Sequence, residues 1–474
     1  MAASEFLEQK IREVFPFTPT ECQARLFHTL AGFLGNGEGE ILIINGYAGT
    51  GKTEAIGAAV KAMKSLGLRF RLMAPTGRAA KVLAGYTGEK AMTIHKQIYR
   101  QKSMDAGGGK FVLDLNKDRG TCYIVDEASL ISLDSGTSMF GSGNLLEDLL
   151  DYIRQGAGNT LVLIGDNAQL PPISLDRSPA LDPSFMGMYG HVDYVLLDQV
   201  VRQADTSGIL YNATVVRHAI VTGSVEQFPQ LQTRCYLDVT RIGGGDLIEA
   251  LDDAISRYGI EDTVVLCRSN RRANRYNQGI RGTVLSREEA LSRGDRLMVV
   301  KNCYQFMDKI EDLDFIANGD IAELVRISKY EERYGLHFAE AVLAFPDYGD
   351  VEITAKVILD TLTSESASLP AEMQAALYEG VYADHDDIST KRKRNAAVRE
   401  DPYYNALQIK YSAAITCHKS QGGQWRCVFV DNAFWQDEVS VEDLKWLYTA
   451  LTRATEKLYL VNFNKNFFIE EGSR

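Results

Sequence analysis

The stretch that most constrains this chain is GYAGTGKT, Gly46 to Thr53, which satisfies the phosphate-loop pattern G-x-x-x-x-G-K-[ST]. The residues before it, Ile41 to Asn45, are ILIIN, a short apolar run of the kind that forms a buried strand. The residues after it, KTEAIGAAVKAMKSLG, space apolar side chains at helical intervals and end at Gly67, a natural C-cap. Strand, glycine loop and helix together give the pattern its structural context. Gly46, Gly49 and Gly51 accept backbone angles that turn successive N–H groups toward one phosphate. The helix adds the positive end of its dipole. Ala48, Thr50 and the three glycines are thus the expected cradle, with Lys52 reaching the β and γ phosphates and the Thr53 hydroxyl binding Mg²⁺.

At 474 residues the chain exceeds one ordinary core, and about two to four domains are expected. A hydrophobic content of 45% and a charged content of 24% describe a globular protein without a membrane-length apolar run. The first residues, MAASEFLEQKIREVF, lack the apolar core of an export signal. Seven cysteines stand singly between Cys22 and Cys427, with no C-x-x-C pair. That pattern argues against a zinc site or a disulfide framework and fits a reducing cytoplasm. The net charge of −12 votes mildly against nucleic acid, so any such partner must be argued from motifs.

Further motifs follow the loop in order. Thr18, Pro19 and Glu21 suggest a capping box opening a helix that carries Gln23. Taken alone, Gln23 fits a surface glutamine better than an adenine contact. RFRLMAPTGRAAKVL reads as a second strand whose C-terminal end presents Pro75, Thr76 and Arg78, where open α/β sheets place ligands. TIHK follows, and His95 on its own is as readily structural as functional. TCYIVDEASL is an apolar strand ending in Asp126 and Glu127, a costly placement unless something requires it. In a phosphate-loop fold Asp126 would hold Mg²⁺ and Glu127 would polarise water. A further strand runs into Gly165-Asp166 and Gln169, a candidate for the γ-phosphate or its attacking water, and LDQVVRQ offers Arg202.

The second half begins again with the strand EDTVVLCRSN. It later carries SAAITCHKSQGGQW with Thr416, His418 and Lys419, and WLYTALTRATEKLYLVNF with Arg453. It has no phosphate loop of its own, so it can only lend residues such as Arg453 to the first half. Between Leu291 and about Asn405 the pattern is of short antiparallel strands, with Asn318-Gly319 as a turn and the KRKR run of Lys391–Arg394 as a solvated surface. Gly107, Gly108 and Gly109, followed by alternating Phe111, Leu113 and Leu115, predict a projecting β-hairpin.

In this order the motifs resemble superfamily 1B helicases of the RecD-like, Dda and Pif group, over nearly the whole chain. Gln23, GYAGTGKT, APTGRAA, TIHK, DEAS, GDNAQLPP, VVRQ, TCHKSQG and YTALTRA match successive motifs of that group. The resemblance implies an α/β fold of two RecA-like P-loop domains in tandem. The first would span residues 1–195, with a β-hairpin insert at about 97–119. The second would comprise 196–290 and 405–474, interrupted by an SH3-like β insert at 291–404. It further implies ATP and Mg²⁺ as cofactors and ATP-driven 5′→3′ movement on single-stranded DNA with unwinding of duplex or forked DNA. Roles in replication, repair or recombination, a cytoplasmic, nucleoid-associated location and a monomeric state come with it. Gln23 would then read adenine, and Arg202 and Arg453 would stabilise transition-state charge. Pro75, Thr76, Arg78, His95, Thr416, His418 and Lys419 would meet DNA. A nucleotide-gated nucleic-acid-binding ATPase without processive unwinding is the competing expectation.

Overall fold

A computed structural model describes all residues except 1–2, 36–39, 102–110, 134–139, 174, 202–205, 226, 304–315, 435–437 and 469–474. The first half contains β1 (Ile41–Gly46), β2 (Arg69–Ala74), β3 (Ala91–Thr93), β4 (Tyr99–Gln101), β5 (Phe111–Leu113), β6 (Thr121–Val125), β7 (Thr160–Gly165) and β8 (Val192–Leu197). Six of these form one parallel sheet in the order β3-β2-β6-β7-β1-β8. Its central strands are apolar throughout because both faces are covered. In β1, Leu42 and Ile44 enter a core with Ala55, Ile56, Val60 and Met63 of the helix Lys52–Ser65, while Ile41 and Ile43 enter the core on the opposite face. In β6 and β7 the side chains divide between the same two cores. The ends of β1, β6 and β7 therefore lie side by side, and the loops that leave them must converge.

The second half contributes β9 (Val239–Ile242), β10 (Thr263–Cys267), β11 (Arg296–Val299), β12 (Ile321–Arg333), β13 (Leu336–Phe345), β14 (Val351–Ile358), β15 (Leu407–Tyr411), β16 (Ala414–Thr416), β17 (Trp425–Asp431) and β18 (Ala454–Val461). A second parallel sheet takes the order β16-β10-β17-β18-β9. One of its cores, built on Val264, Leu266, Val428, Val430 and Leu460, also takes in Ala168 and Leu170 from the first half. The two halves thus share buried apolar surface.

Between β10 and β16 the chain forms a closed barrel, β11-β12-β13-β14-β15. Its strands pair antiparallel except β14 with β15, which run parallel. Parallel neighbours need a long crossover. Here the crossover holds a short helix, Asp360–Thr363, and two longer ones, Ala371–Asp384 and Lys391–Glu400, none of them anticipated from the sequence. The two longer helices cover the outside of the barrel through Leu377, Val381 and Val398 against Leu336, Phe338 and Ile358. The KRKR run opens the second of these helices; Lys391, Arg392 and Lys393 face solvent, and the Arg394 guanidinium lies 3.9 Å from the centre of the Tyr382 ring.

β4 and β5 pair antiparallel, with Tyr99 opposite Leu113 and Gln101 opposite Phe111. Gly107, Gly108 and Gly109, the expected turn, lie outside the described residues. Phe111 is buried and stacks on Phe140 at 4.6 Å, so the base of this pair belongs to the core rather than to a free projection.

At the N-terminal side, Phe27 is fully buried, 5.2 Å from Phe15. Phe27→Ala should destabilise the protein by roughly 3–5 kcal/mol, the usual cost of emptying such a site. A urea titration checks this, and an unchanged midpoint would place Phe27 outside the supporting core.

Candidate nucleotide site between the two sheets

The helix that precedes β1 starts at Glu21, and the residue that caps it is Thr20, not Thr18. The Gln23 backbone N–H donates to Thr20 Oγ1 at 3.3 Å, and the Thr20 N–H donates back to Gln23 Oε1 at 2.9 Å. This is a capping box with glutamine at its third position, a spacing that T-E-C-Q satisfies. The other end of the same amide, Gln23 Nε2, donates to the Thr50 carbonyl at 2.9 Å. Gln23 is 1% exposed, and its amide braces the phosphate loop. Gly51 shows why the fit is tight. Its φ is +69°, and a Cβ there would fall 2.5 Å from Gln23 Nε2.

Lys52 begins the helix Lys52–Ser65 and turns back across the loop. Its Nζ donates to the Gly46 carbonyl at 3.0 Å and to the Gly165 carbonyl, at the end of β7, at 3.4 Å. Thr53 follows in the first helical turn with its side chain exposed. At the end of β6, Asp126 Oδ2 accepts from the Tyr86 hydroxyl at 2.8 Å, and Asp126 Oδ1 accepts from the Glu127 N–H at 2.9 Å. Glu127 holds a left-handed backbone, φ +53°, and its buried Oε2 has no hydrogen-bond partner among the described residues. A non-glycine residue in that region stores strain that the surroundings must hold. Burial, and then the neighbouring Asp126, push the Glu127 carboxyl above its ordinary range, opposed by Arg453 and Lys52. Burial likewise raises Asp166, opposed first by Lys52. Gln169 is also buried, with Oε1 lacking a partner among the described residues.

The second half closes this site. Arg453 is 3% exposed, and its guanidinium donates to the carbonyls of Thr449 and Gly423, each at 3.1 Å, and to Thr452 Oγ1 at 3.2 Å. Held there, its charge acts on Glu127 and Asp166 of the first half. Tyr448, five residues earlier, accepts the Ala48 N–H at 2.8 Å and donates to Asp166 Oδ2 at 2.7 Å. Thr449 Oγ1 accepts the Leu170 N–H at 2.8 Å, and Gln421 Nε2 donates to the Leu170 carbonyl at 2.7 Å. Arg202 lies outside the described residues.

The residues expected to meet DNA fall in three places. Thr76 caps the helix Gly77–Thr87 by accepting the Ala79 N–H at 3.2 Å, and Pro75 precedes it at the end of β2. Arg78 donates to the Gln424 carbonyl at 3.1 Å and lies 3.8 Å from the centre of the Trp425 ring. Burial holds its guanidinium down to about 10. Thr416, His418 and Lys419 stand across from this helix, and a Cβ on Gly422 beside them would come 3.3 Å from Thr76 Oγ1. Lys419 Nζ donates to Asn318 Oδ1 of the barrel turn, and burial lowers it to about 8; burial lowers His418 too. His95 sits apart, its ring 4.9 Å from Phe140 and 5.6 Å from Tyr99, with burial pushing it down to about 4 and so keeping it neutral near pH 7.

Sequence reasoning passed over Tyr448, Tyr86 and Trp425 as parts of the site. Tyr448 had none in the local pattern, since it lies five residues before Arg453 on a helix that ends at Leu451. Tyr86 and Trp425 had none, because their roles depend on contacts far away in the chain. Among the described residues no three His, Cys, Asp or Glu side chains gather as a ready metal cage. Thr53 and Asp126 remain compatible with Mg²⁺, which keeps several waters and takes few protein ligands alongside phosphate oxygens. Among the described residues, no helix is long and apolar enough to cross a membrane.

Comparison with known proteins follows the same division. A family model described as an AAA domain matches residues 21–226, and one described as a UvrD-like helicase C-terminal domain matches residues 411–461. The ATP-dependent RecD2 DNA helicase of Deinococcus radiodurans is 30% identical over 42% of this chain and 24% of its own length. The ATP-dependent DNA helicase dda of Enterobacteria phage T4 is 30% identical over 37% of this chain and 37% of its own. The chain spans well under half the length of the curated relatives it matches first. A solved structure of Pif1 helicase from Bacteroides, in complex with ADP-AlF3 and ssDNA, aligns over 96% of this chain and 95% of that one, with 14% identity and a TM-score of 0.47. One matched model thus lies over the first sheet and the other over the last strands of the second, and the RecD2 and Dda helicases are among the proteins to which this chain is similar.

Proposed function

We propose that this chain is an ATP-dependent DNA helicase that moves 5′→3′ along single-stranded DNA and unwinds duplex. The observation that carries the reading is Arg453, a buried cation of the second sheet whose charge acts on Glu127 and Asp166 beside the phosphate loop of the first. A single phosphate loop completed from a second α/β unit makes hydrolysis depend on how the two units sit. That dependence is what a motor requires. The helicase activity of the RecD2 and Dda relatives supports the same reading.

Each residue has a part in it. The loop amides and Lys52 hold the phosphates, while Gln23 keeps the loop in shape through Thr50. Thr53 and Asp126 would hold Mg²⁺, which would supply charge neutralisation at the phosphate oxygens. Glu127, with its carboxyl raised by burial, takes the proton of the attacking water, and Gln169 orients that water. Arg453, joined by Arg202, stabilises the charge that develops on the transferred group. Pro75, Thr76, Arg78, Thr416, His418 and Lys419 form the DNA track between the two units and the barrel, and His95 couples that track to the β4–β5 pair. The protein acts as a monomer on single-stranded and forked DNA.

Duplexes with a 5′ tail, a 3′ tail or an RNA tail test the reading directly. Unwinding of the 5′-tailed DNA, lost in Lys52→Ala together with ATP turnover, is the expected result. ATP turnover stimulated by DNA without unwinding would favour a nucleotide-gated binding ATPase instead.

Arg453→Ala should lower kcat by about 10³-fold or more while ATP still binds, the scale of a trans-acting arginine. Steady-state kinetics with an equilibrium binding titration separates the two effects. A loss of binding with kcat preserved would make Arg453 a binding residue.

The hairpin supplies the last expectation here. Because Phe111 is part of the core, the segment to replace is 102–110 alone. A short Gly-Ser linker there should leave DNA-stimulated hydrolysis and translocation mostly intact and cut duplex unwinding sharply. Unchanged unwinding would place the strand-separating wedge elsewhere.

A further inference from the structure

The geometry points to Tyr448 as a positioning residue that links the second α/β unit to the phosphate loop. The inference rests on the hydrolytic reading above and adds a residue to it. Tyr448 is 1% exposed, on the helix Val441–Leu451 that leads to Arg453. Its hydroxyl makes two contacts, both across the chain to the first unit. It accepts the N–H of Ala48, inside the phosphate loop, at 2.8 Å, and donates to Asp166 Oδ2, beyond the end of β7, at 2.7 Å. Burial and the adjacent Asp166 hold the hydroxyl protonated, so it remains a donor to the carboxylate and an acceptor for the amide at once. One oxygen atom therefore fixes the distance between the loop and Asp166.

This placement has a mechanical meaning. Ala48 is one of the loop residues, and Asp166 is buried with its charge opposed by Lys52 and Arg453. A shift of the helix Val441–Leu451 relative to the first sheet disturbs both hydrogen bonds, because they share one oxygen. The loop and the acidic wall then lose their common support, although neither belongs to the unit that moved. Tyr448 thus reports the position of the second unit to the phosphate loop through two bonds, while Arg453 brings charge. The neighbouring Thr449 makes an interface bond of similar length, accepting the Leu170 N–H at 2.8 Å, but does not touch the loop. It serves as the internal comparison.

Tyr448→Phe keeps the ring and removes both bonds. In DNA-stimulated ATP hydrolysis by the full chain, it should lower kcat by roughly tenfold or more, the scale of a hydrogen bond to a charged group. KM for ATP should change by less than about twofold, because the loop is displaced in timing and not dismantled. Thr449→Val should lower kcat less, and melting temperatures of both variants show whether folding is shared. A rise in KM with kcat preserved, or equal losses in both variants that track their melting temperatures, would overturn the inference. Normal wild-type turnover with an unaffected Tyr448→Phe would overturn it alone. A wild type without ATP turnover would overturn it together with the functional reading on which it rests.

Discussion

The structure depends on burying like charges side by side. Asp126, Glu127 and Asp166 lie at the ends of strands that the apolar pattern forces together, and burial alone would drive protons back onto Glu127 and Asp166. Lys52 from one side and Arg453 from the other oppose that shift. Neither cation is local to the acids in sequence. The acids come with the first sheet, while half of their neutralising charge comes with the second. The shared core around Ala168 and Leu170 is the apolar counterpart of the same arrangement. A unit that holds its own counter-charge needs no partner. This one is electrostatically incomplete until the second sheet docks.

Much of this was legible in the sequence because it is local. The loop, the helix after it and the acid pair at the end of β6 are each set by neighbours within a few residues, and periodicity and glycine spacing report them well. The strands β1, β2, β6 and β7 of the first sheet and β10 of the second were visible as apolar runs for the same reason, whereas the edge strands β3, β8 and β9 were not. Local signals also misled. Thr18 with Glu21 and Thr20 with Gln23 are both possible capping boxes, and only the contact from Gln23 Nε2 to Thr50 selects the second. That choice is made by tertiary structure 27 residues away, where no cap rule can see it.

Other features were hidden by the same cause. Arg78 stands at a ligand-bearing strand end, and nothing near it in the chain announces that Gln424 and Trp425 hold it from the far end. Phe111 reads as one face of a projecting hairpin, yet Phe140 takes it into the core. The two helices on the barrel were hidden for a topological reason. Nothing in the local pattern of β14 announces that its next neighbour, β15, will run parallel and so demand a crossover.

The order of strands in the second sheet has a consequence for how the chain comes off the ribosome. The first sheet is complete once residue 197 has emerged, so it can collapse early as a unit. The second cannot: β9 and β10 must wait, with an entire barrel synthesised between them and their partners β16, β17 and β18. During that interval Val264, Val265 and Leu266 have no sheet to join. Vectorial synthesis therefore exposes an apolar segment for the time taken to make roughly 150 residues, on the order of ten seconds at typical elongation rates. Nascent-chain holding factors would meet this protein at β10, and slower translation after it would lengthen the exposure.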